Sequence, residues 1–118
     1  MSEQVAYVDR FQLREGKLED FGRYATELAA FVHESEPGVT SFNYYIDEDG
    51  VRGTALFVFS NAEALDRHLE VASSRFQEGY ELVHATEIEL LGQPSDRAIA
   101  MAASFNATLK TKIAGFSR

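Results

Sequence analysis

Asp9 is an unusual place for a carboxylate, because it shares a strand parity with Tyr7 and Phe11. A carboxylate among core rings is costly unless it is paired or protonated. Such a group can serve as a base toward a bound molecule or accept a hydrogen bond from His68. The neighbouring Arg10, or exposure near the strand end, would instead leave it a structural role. His68 stands on the border of the apolar stripe Ala62, Leu65, Leu69 and Ala72. An imidazole with a reference pKa of about 6.5 can take a proton from a phenolic hydroxyl at neutral pH. The alternative is a helix histidine bonded to a backbone carbonyl or a partner side chain. Asn43 and Tyr45 share one parity of a strand-like run, with Phe42 and Tyr44 on the other. An amide and a phenol can orient a planar aromatic molecule, and cross-strand aromatic packing is the structural explanation of the same residues.

Other chemistries find little purchase. The three histidines lie on separate elements, with His84 beginning a strand and His33 ending a helix, and no His-x-x-x-His or Glu-x-x-His pair is expected on a helix. That argues against a metal site. The chain has no cysteine, which removes disulfides, a thiolate nucleophile and sulfur-bound zinc. There is no Gly-rich phosphate loop, and nothing marks the strained turn of a serine nucleophile.

These residues need elements to position them. Val5 to Leu13 places Val5, Tyr7, Phe11 and Leu13 on one parity and Ala6 and Val8 on the other, the pattern of a strand covered on both faces. Past the Glu15-Gly16 turn, Leu18, Phe21, Tyr24, Ala25, Leu28, Phe31 and Val32 recur at helical spacing to about Ser35, and Pro37-Gly38 stops the helix. Val39 to Ile46 and Val51 to Phe59, joined by Asp47-Glu48-Asp49-Gly50, predict an antiparallel hairpin. Ser60 and Glu63 fit a capping box that opens a helix, on which Glu63 and Arg67 are spaced for an exposed ion pair. Ser74 with Gln77 predicts a second box, so the helix should break near Ser73 and restart with Phe76, Tyr80 and Val83 inward. His84 to Leu91 reads as a strand in which Thr86, Ile88 and Leu90 oppose the wetter Glu87 and Glu89. The order strand, helix, strand, strand, helix, strand predicts a ferredoxin-like α+β fold, with helices on one face of an antiparallel sheet. Ser95 should then cap a short helix in Asp96 to Ser104, and Asn106 to Gly115 alternates as a fifth, edge strand with its lysines outward. Residues 1–93 therefore form the ferredoxin-like unit, and residues 94–118 a helix and strand extension of the same domain.

A chain of 118 residues is near the commonest domain size. At this size folding buries somewhat under two-thirds of the unfolded surface, so pairing with a second copy is an expected source of further burial. The 19 acidic residues exceed the 11 basic ones, and the net charge of −8 opposes a nucleic-acid partner. Residues 95–118 run the other way, with Asp96 against Arg97, Lys110, Lys112 and Arg118. This basic tail suits docking on the acidic body of its own or a second subunit. With no basic leader and no run of roughly 20 apolar residues, a cytoplasmic protein without a membrane partner is expected.

The Glu-Pro-Gly segment at 36–38, Tyr44-Tyr45, the run from Phe59 to Leu69 and Arg75-Phe76 together resemble the antibiotic-biosynthesis-monooxygenase branch of the dimeric α+β barrel superfamily, over about residues 5 to 92. The resemblance implies a homodimer whose two sheets press together, with a small-molecule cavity between sheet and helices in each subunit. That arrangement would account for strands apolar on both parities. His68 occupies the place of the family's frequent histidine. The haem-degrading branch resembles a set of asparagine, tryptophan and histidine, and this chain has no tryptophan, with His68 near the tryptophan place and Tyr80 near the ligand's place. Haem chemistry is therefore disfavoured. The resemblance thus implies a cavity lined by Tyr7, Asp9, Asn43, Tyr45, His68, Phe76 and Tyr80. Its expected activity is cofactor-independent monooxygenation of a small aromatic, phenolic or quinol molecule, with Asp9 or His68 as base and Asn43 and Tyr45 holding the oxyanion. A non-catalytic small-molecule-binding or stress-response protein of the same fold is the alternative, and a cavity filled by aromatic side chains would leave a dimerisation module.

Overall fold

Alternation and helical spacing along the chain resolve into five strands and four helices in the computed structural model, which describes residues 3–118. The first two residues of the 1–93 unit lie outside the described residues. Strand β1 (Val5–Leu13) leads to helix α1 (Leu18–Ser35), the hairpin β2 (Val39–Ile46) and β3 (Arg52–Phe59), then α2 (Ala62–Val71). A 3-10 turn (Ser73–Arg75), α3 (Phe76–Leu82), β4 (Val83–Leu91), α4 (Asp96–Ser104) and β5 (Thr108–Lys110) complete the chain. The sheet order is β2-β3-β1-β4-β5. All pairs are antiparallel except β4 with β5, which is parallel. The ferredoxin-like α+β fold is as the element order predicts, and β5 turns the sheet into a mixed one.

The hairpin shows how local chemistry sets register. Asp49 Oδ1 accepts from the Val51 amide at 2.9 Å, the Gly50 amide donates to the Asp47 carbonyl at 2.9 Å, and Gly50 takes φ of +72°, which its missing Cβ permits. That turn aligns Phe42 with Phe57 and Tyr44 with Ala55. Phe59, Phe57 and Ala55 then sit beside Val5, Tyr7 and Asp9 of β1, all on the side facing the helices. The core fills this layer, where Phe21, Leu28 and Val32 of α1 and Leu65 of α2 are buried against the sheet.

Four local expectations change. Helix α2 is capped by Asn61, one residue after Ser60: its extended backbone lets the side-chain oxygen accept from the Ala64 amide at 2.8 Å. Helix α3 has no side-chain cap, because the 3-10 turn delivers the chain to Phe76 from Arg75, and Ser73 instead donates to the Glu70 carbonyl at 3.1 Å. The Glu63–Arg67 pair is not closed among the described residues; Glu70 of α2 is met instead by Arg97 of α4 at 2.6 Å. The fifth strand is three residues long rather than ten. It ends at Lys110, whose half-exposed side chain pairs with Glu89 of β4, and past it no ladder forms among the described residues. Helix α4 starts as expected, with Ser95 accepting from the Ala98 amide at 3.1 Å, and the same hydroxyl donates to Asp66 of α2 at 2.7 Å. No helix among the described residues is long and apolar enough to cross a membrane.

Candidate functional site

Between the sheet and its helices lies a cavity of about 470 Å³, within the range of small-molecule sites. Its walls are largely rings. Phe57 stacks on Phe42 with centroids 3.9 Å apart and on Tyr7 at 5.8 Å, and Tyr44 meets Phe57 edge-on at 5.4 Å. Asp9 enters this wall from the middle of β1, between Ala55 of β3 and Ile88 of β4.

A β-bulge lies beside Asp9. The β1–β4 register shifts between Arg10 and Phe11, leaving Thr86 as the extra residue, and its hydroxyl donates to the Arg10 carbonyl at 3.1 Å. The bulge changes which residues of β4 face inward, from Ile88 and Leu90 to Ala85 and Val83. Thr86 therefore leaves the parity of Ile88 and Leu90 that the unbroken alternation assigned it.

The electrostatics of the cavity follow from burial. Asp9 Oδ1 is sealed from solvent and has no hydrogen-bond partner among the described residues. Desolvation alone lifts its carboxyl from the ordinary 3.8 to about 7. The phenols of Tyr7, Tyr44, Tyr24 and Tyr80 also line the cavity, and burial first, with smaller contributions from neighbouring groups that include Asp9, raises their pKa values, that of Tyr24 to about 12. All four stay protonated at neutral pH and can donate a hydrogen bond.

His68 lines the cavity from the last turn of α2 and is 4% exposed. Its Nδ1–H donates to Glu36 Oε1 at 3.0 Å and Oε2 at 3.2 Å, and Glu36 is 2% exposed at the C-terminal cap of α1. Burial lowers the His68 pKa while the Glu36 carboxylate opposes the shift, so the ring is neutral at pH 7, with its lone pair on Nε2. Nε2 makes no hydrogen bond to another described residue. Phe42, Phe59, Phe57 and Phe76 pack around the ring with centroids 5.5 to 6.2 Å away.

Five of the expected residues meet here: Tyr7, Asp9, His68, Phe76 and Tyr80 all line the cavity. Asn43 and Tyr45 do not. They oppose Leu56 and Thr54 on β3, the parity facing away from the helices, where Asn43 donates to Ser41 at 2.9 Å and Tyr45 is exposed. The oxyanion role expected of them cannot be exercised across the sheet, and Tyr44 is the residue of that strand that reaches the cavity.

Sequence reasoning missed Glu36, which entered there only as the first residue of the Glu-Pro-Gly segment. It also missed the wall supplied by α4 and its C-terminal cap, where Ala98, Met101 and Ala102 of the helix and the capping Phe105 line the cavity at spacings of three, one and three residues. That stripe is the signal that could have revealed it. Among the described residues no group of three His, Asp or Glu side chains is disposed to hold a metal.

A family model described as antibiotic biosynthesis monooxygenase matches residues 5–82. The chain belongs to that family. The match ends with α3, so α4 lies beyond the part the antibiotic biosynthesis monooxygenases define. A comparison with curated proteins returns no match. Among solved structures, MupZ from Pseudomonas fluorescens is similar over 98% of this chain and 95% of its own, with a TM-score of 0.86 and 22% identity. SnoaB, a cofactor-independent oxygenase from Streptomyces nogalater, is similar over 80% of this chain and 96% of its own, with a TM-score of 0.67 and 20% identity. Protein SO0527 from Shewanella oneidensis covers 76% and 90%, with a TM-score of 0.62 and 24% identity. At these identities the likenesses bear on the fold, and the MupZ likeness extends it through α4 and β5.

Proposed function

We propose that this chain is a cofactor-independent monooxygenase of a small aromatic or phenolic molecule bound in the cavity between sheet and helices. One observation carries the reading: the unpartnered, buried carboxyl of Asp9 among rings and phenols, poised near neutral pH. A base with a pKa near the working pH is suited to proton abstraction. Membership of the family and the fold shared with SnoaB support the reaction class.

The chemistry fits an anthrone-like substrate. Asp9 takes a proton from the ring methylene, and the phenols of Tyr7 and Tyr80 donate to the oxygen on which the resulting charge settles. The electron-rich anion passes one electron to dioxygen, and the radical pair recombines with a new C–O bond to give a peroxide. Loss of the remaining C–H proton and cleavage of O–O then leave a ketone and one water. One oxygen atom enters the product and the other leaves as water, so the substrate itself is the reductant.

Oxygen uptake with a panel of anthrones and quinols tests this. Stoichiometric uptake that falls at least a hundredfold in Asp9→Asn is expected; uptake unchanged in an Asp9→Ala, His68→Ala double variant would sink the assignment. Tight binding of the same molecules without uptake would assign the cavity to a receptor. The engagement of His68 Nδ1 with Glu36 ties α2 to α1 and gives the histidine a structural role whether or not the cavity turns over its ligand.

A further inference from the structure

The cavity is mostly apolar, yet Arg14 is the one lysine or arginine among the residues that line it. Arg14 follows the last residue of β1 and is held in two places. Its backbone amide donates to the Leu82 carbonyl at 2.9 Å, and its Nε–H donates to the Tyr80 carbonyl at 3.1 Å. Both carbonyls belong to the C-terminal end of α3, where a cation is favoured by the helix dipole. That role uses only Nε. The two terminal nitrogens of the guanidinium make no hydrogen bond or salt bridge to another described residue, although the chain carries a net charge of −8. Asp9 does not consume the charge either, because the environment of its carboxyl is set by burial with no contribution from a cation. Beside Arg14, Tyr80 and Phe105 pair their half-exposed rings at 6.0 Å, so the cavity opens there between two aromatic side chains and a fixed cation.

We infer that Arg14 forms a carboxylate subsite at the mouth of the cavity, and that the ligand is an aromatic carboxylic acid whose ring system enters between Tyr80 and Phe105. A guanidinium fork already anchored through Nε presents its remaining donors in the plane that suits a carboxylate and loses little freedom on binding. In a site with few polar groups, one such contact fixes which end of the ligand stays at the mouth. The opposite end is thereby directed toward Asp9. The inference rests on the cavity being the ligand site, and it adds the acid group to the class of molecule proposed above.

The test compares 2-naphthoic acid with 2-naphthamide, two probes of nearly equal shape, by calorimetric titration at pH 7.5 and low salt. A hydrogen bond to a charged group contributes enough to make the acid bind roughly tenfold to a hundredfold more tightly. Arg14→Gln should erase that preference while leaving the amide's affinity unchanged, and Arg14→Lys, which keeps the charge but not the fork, should retain part of it. The preference should also shrink in 1 M salt, as expected for an exposed cation. Equal binding of acid and amide to the unmodified protein overturns the subsite and leaves the aromatic cavity standing, as does a preference that survives Arg14→Gln. Binding of neither probe overturns both.

Discussion

Asp9 links function to stability through one proton. Its carboxyl titrates at about 7 in the folded chain against 3.8 ordinarily, so the native state binds the proton more tightly than the unfolded one. For an acid with a raised folded pKa, stability is fully present below the unfolded value and is lost as pH rises through the folded value. The loss should therefore run from about pH 4 to pH 7, with a slope of at most roughly 1.4 kcal/mol per pH unit. Asp9→Asn cannot titrate. Urea unfolding at pH 5 and pH 8 should show the variant losing less stability than the parent over that interval, and identical losses would mean that the carboxyl is solvated. The rate of any reaction that uses Asp9 as base should rise over the same window, which sets catalysis against stability at this residue. His68 invites a different argument. Its chemistry was legible from its type and place, but its partner was not, because Glu36 lies 32 positions away and joins it only when α1 and α2 pack. Asn43 and Tyr45 show the complementary limit: alternation separates the two faces of β2 without saying which face the helices cover.

Elements were more readable than contacts. The boundaries of β1, α1 and β2 follow from apolar periodicity and turn residues that agree with the tertiary structure. The cap moved from Ser60 to Asn61 because either residue type can cap, and the backbone turns at the second. The bulge at Thr86 is invisible to a parity count, since it inserts one residue into an otherwise regular alternation. Helix α4 has the most direct consequence for function. Tied to α2 by Ser95–Asp66 and Arg97–Glu70, it closes the cavity with a wall that includes two small side chains, Ala98 and Ala102. Ala102→Trp should fill space there and weaken binding of a three-ring ligand such as anthrone at least tenfold while sparing a single-ring phenol. Far-ultraviolet circular dichroism would verify that the fold is kept. Equal loss for both ligands would show that α4 does not set the size of what the cavity accepts.

At the scale of the whole molecule the sheet has one face that the helices do not cover. Because Phe57 and Phe59 face inward, Leu56 and Val58 face outward, alongside Ala6 and Val8 of β1 and Leu91 of β4. A sheet face with aliphatic side chains at its centre is the kind of surface that soluble proteins cover. Past β5 the chain leaves Ile113 98% and Phe116 77% exposed, more apolar surface that its own body does not bury. A second copy is the occupant that fits both features, because an isologous pairing sets the same aliphatic face against itself and offers each tail an acidic surface. Light scattering after size exclusion should then give about twice 13.2 kDa, and the melting temperature should rise with protein concentration. Val58→Asp places a charge at the centre of the face and should halve the measured mass and lower the melting temperature. The same substitution made on the edge strand, Thr40→Asp, should leave the mass unchanged. A parent protein that measures as a single chain at micromolar concentration would refute the pairing, and the aliphatic face would then need a different partner.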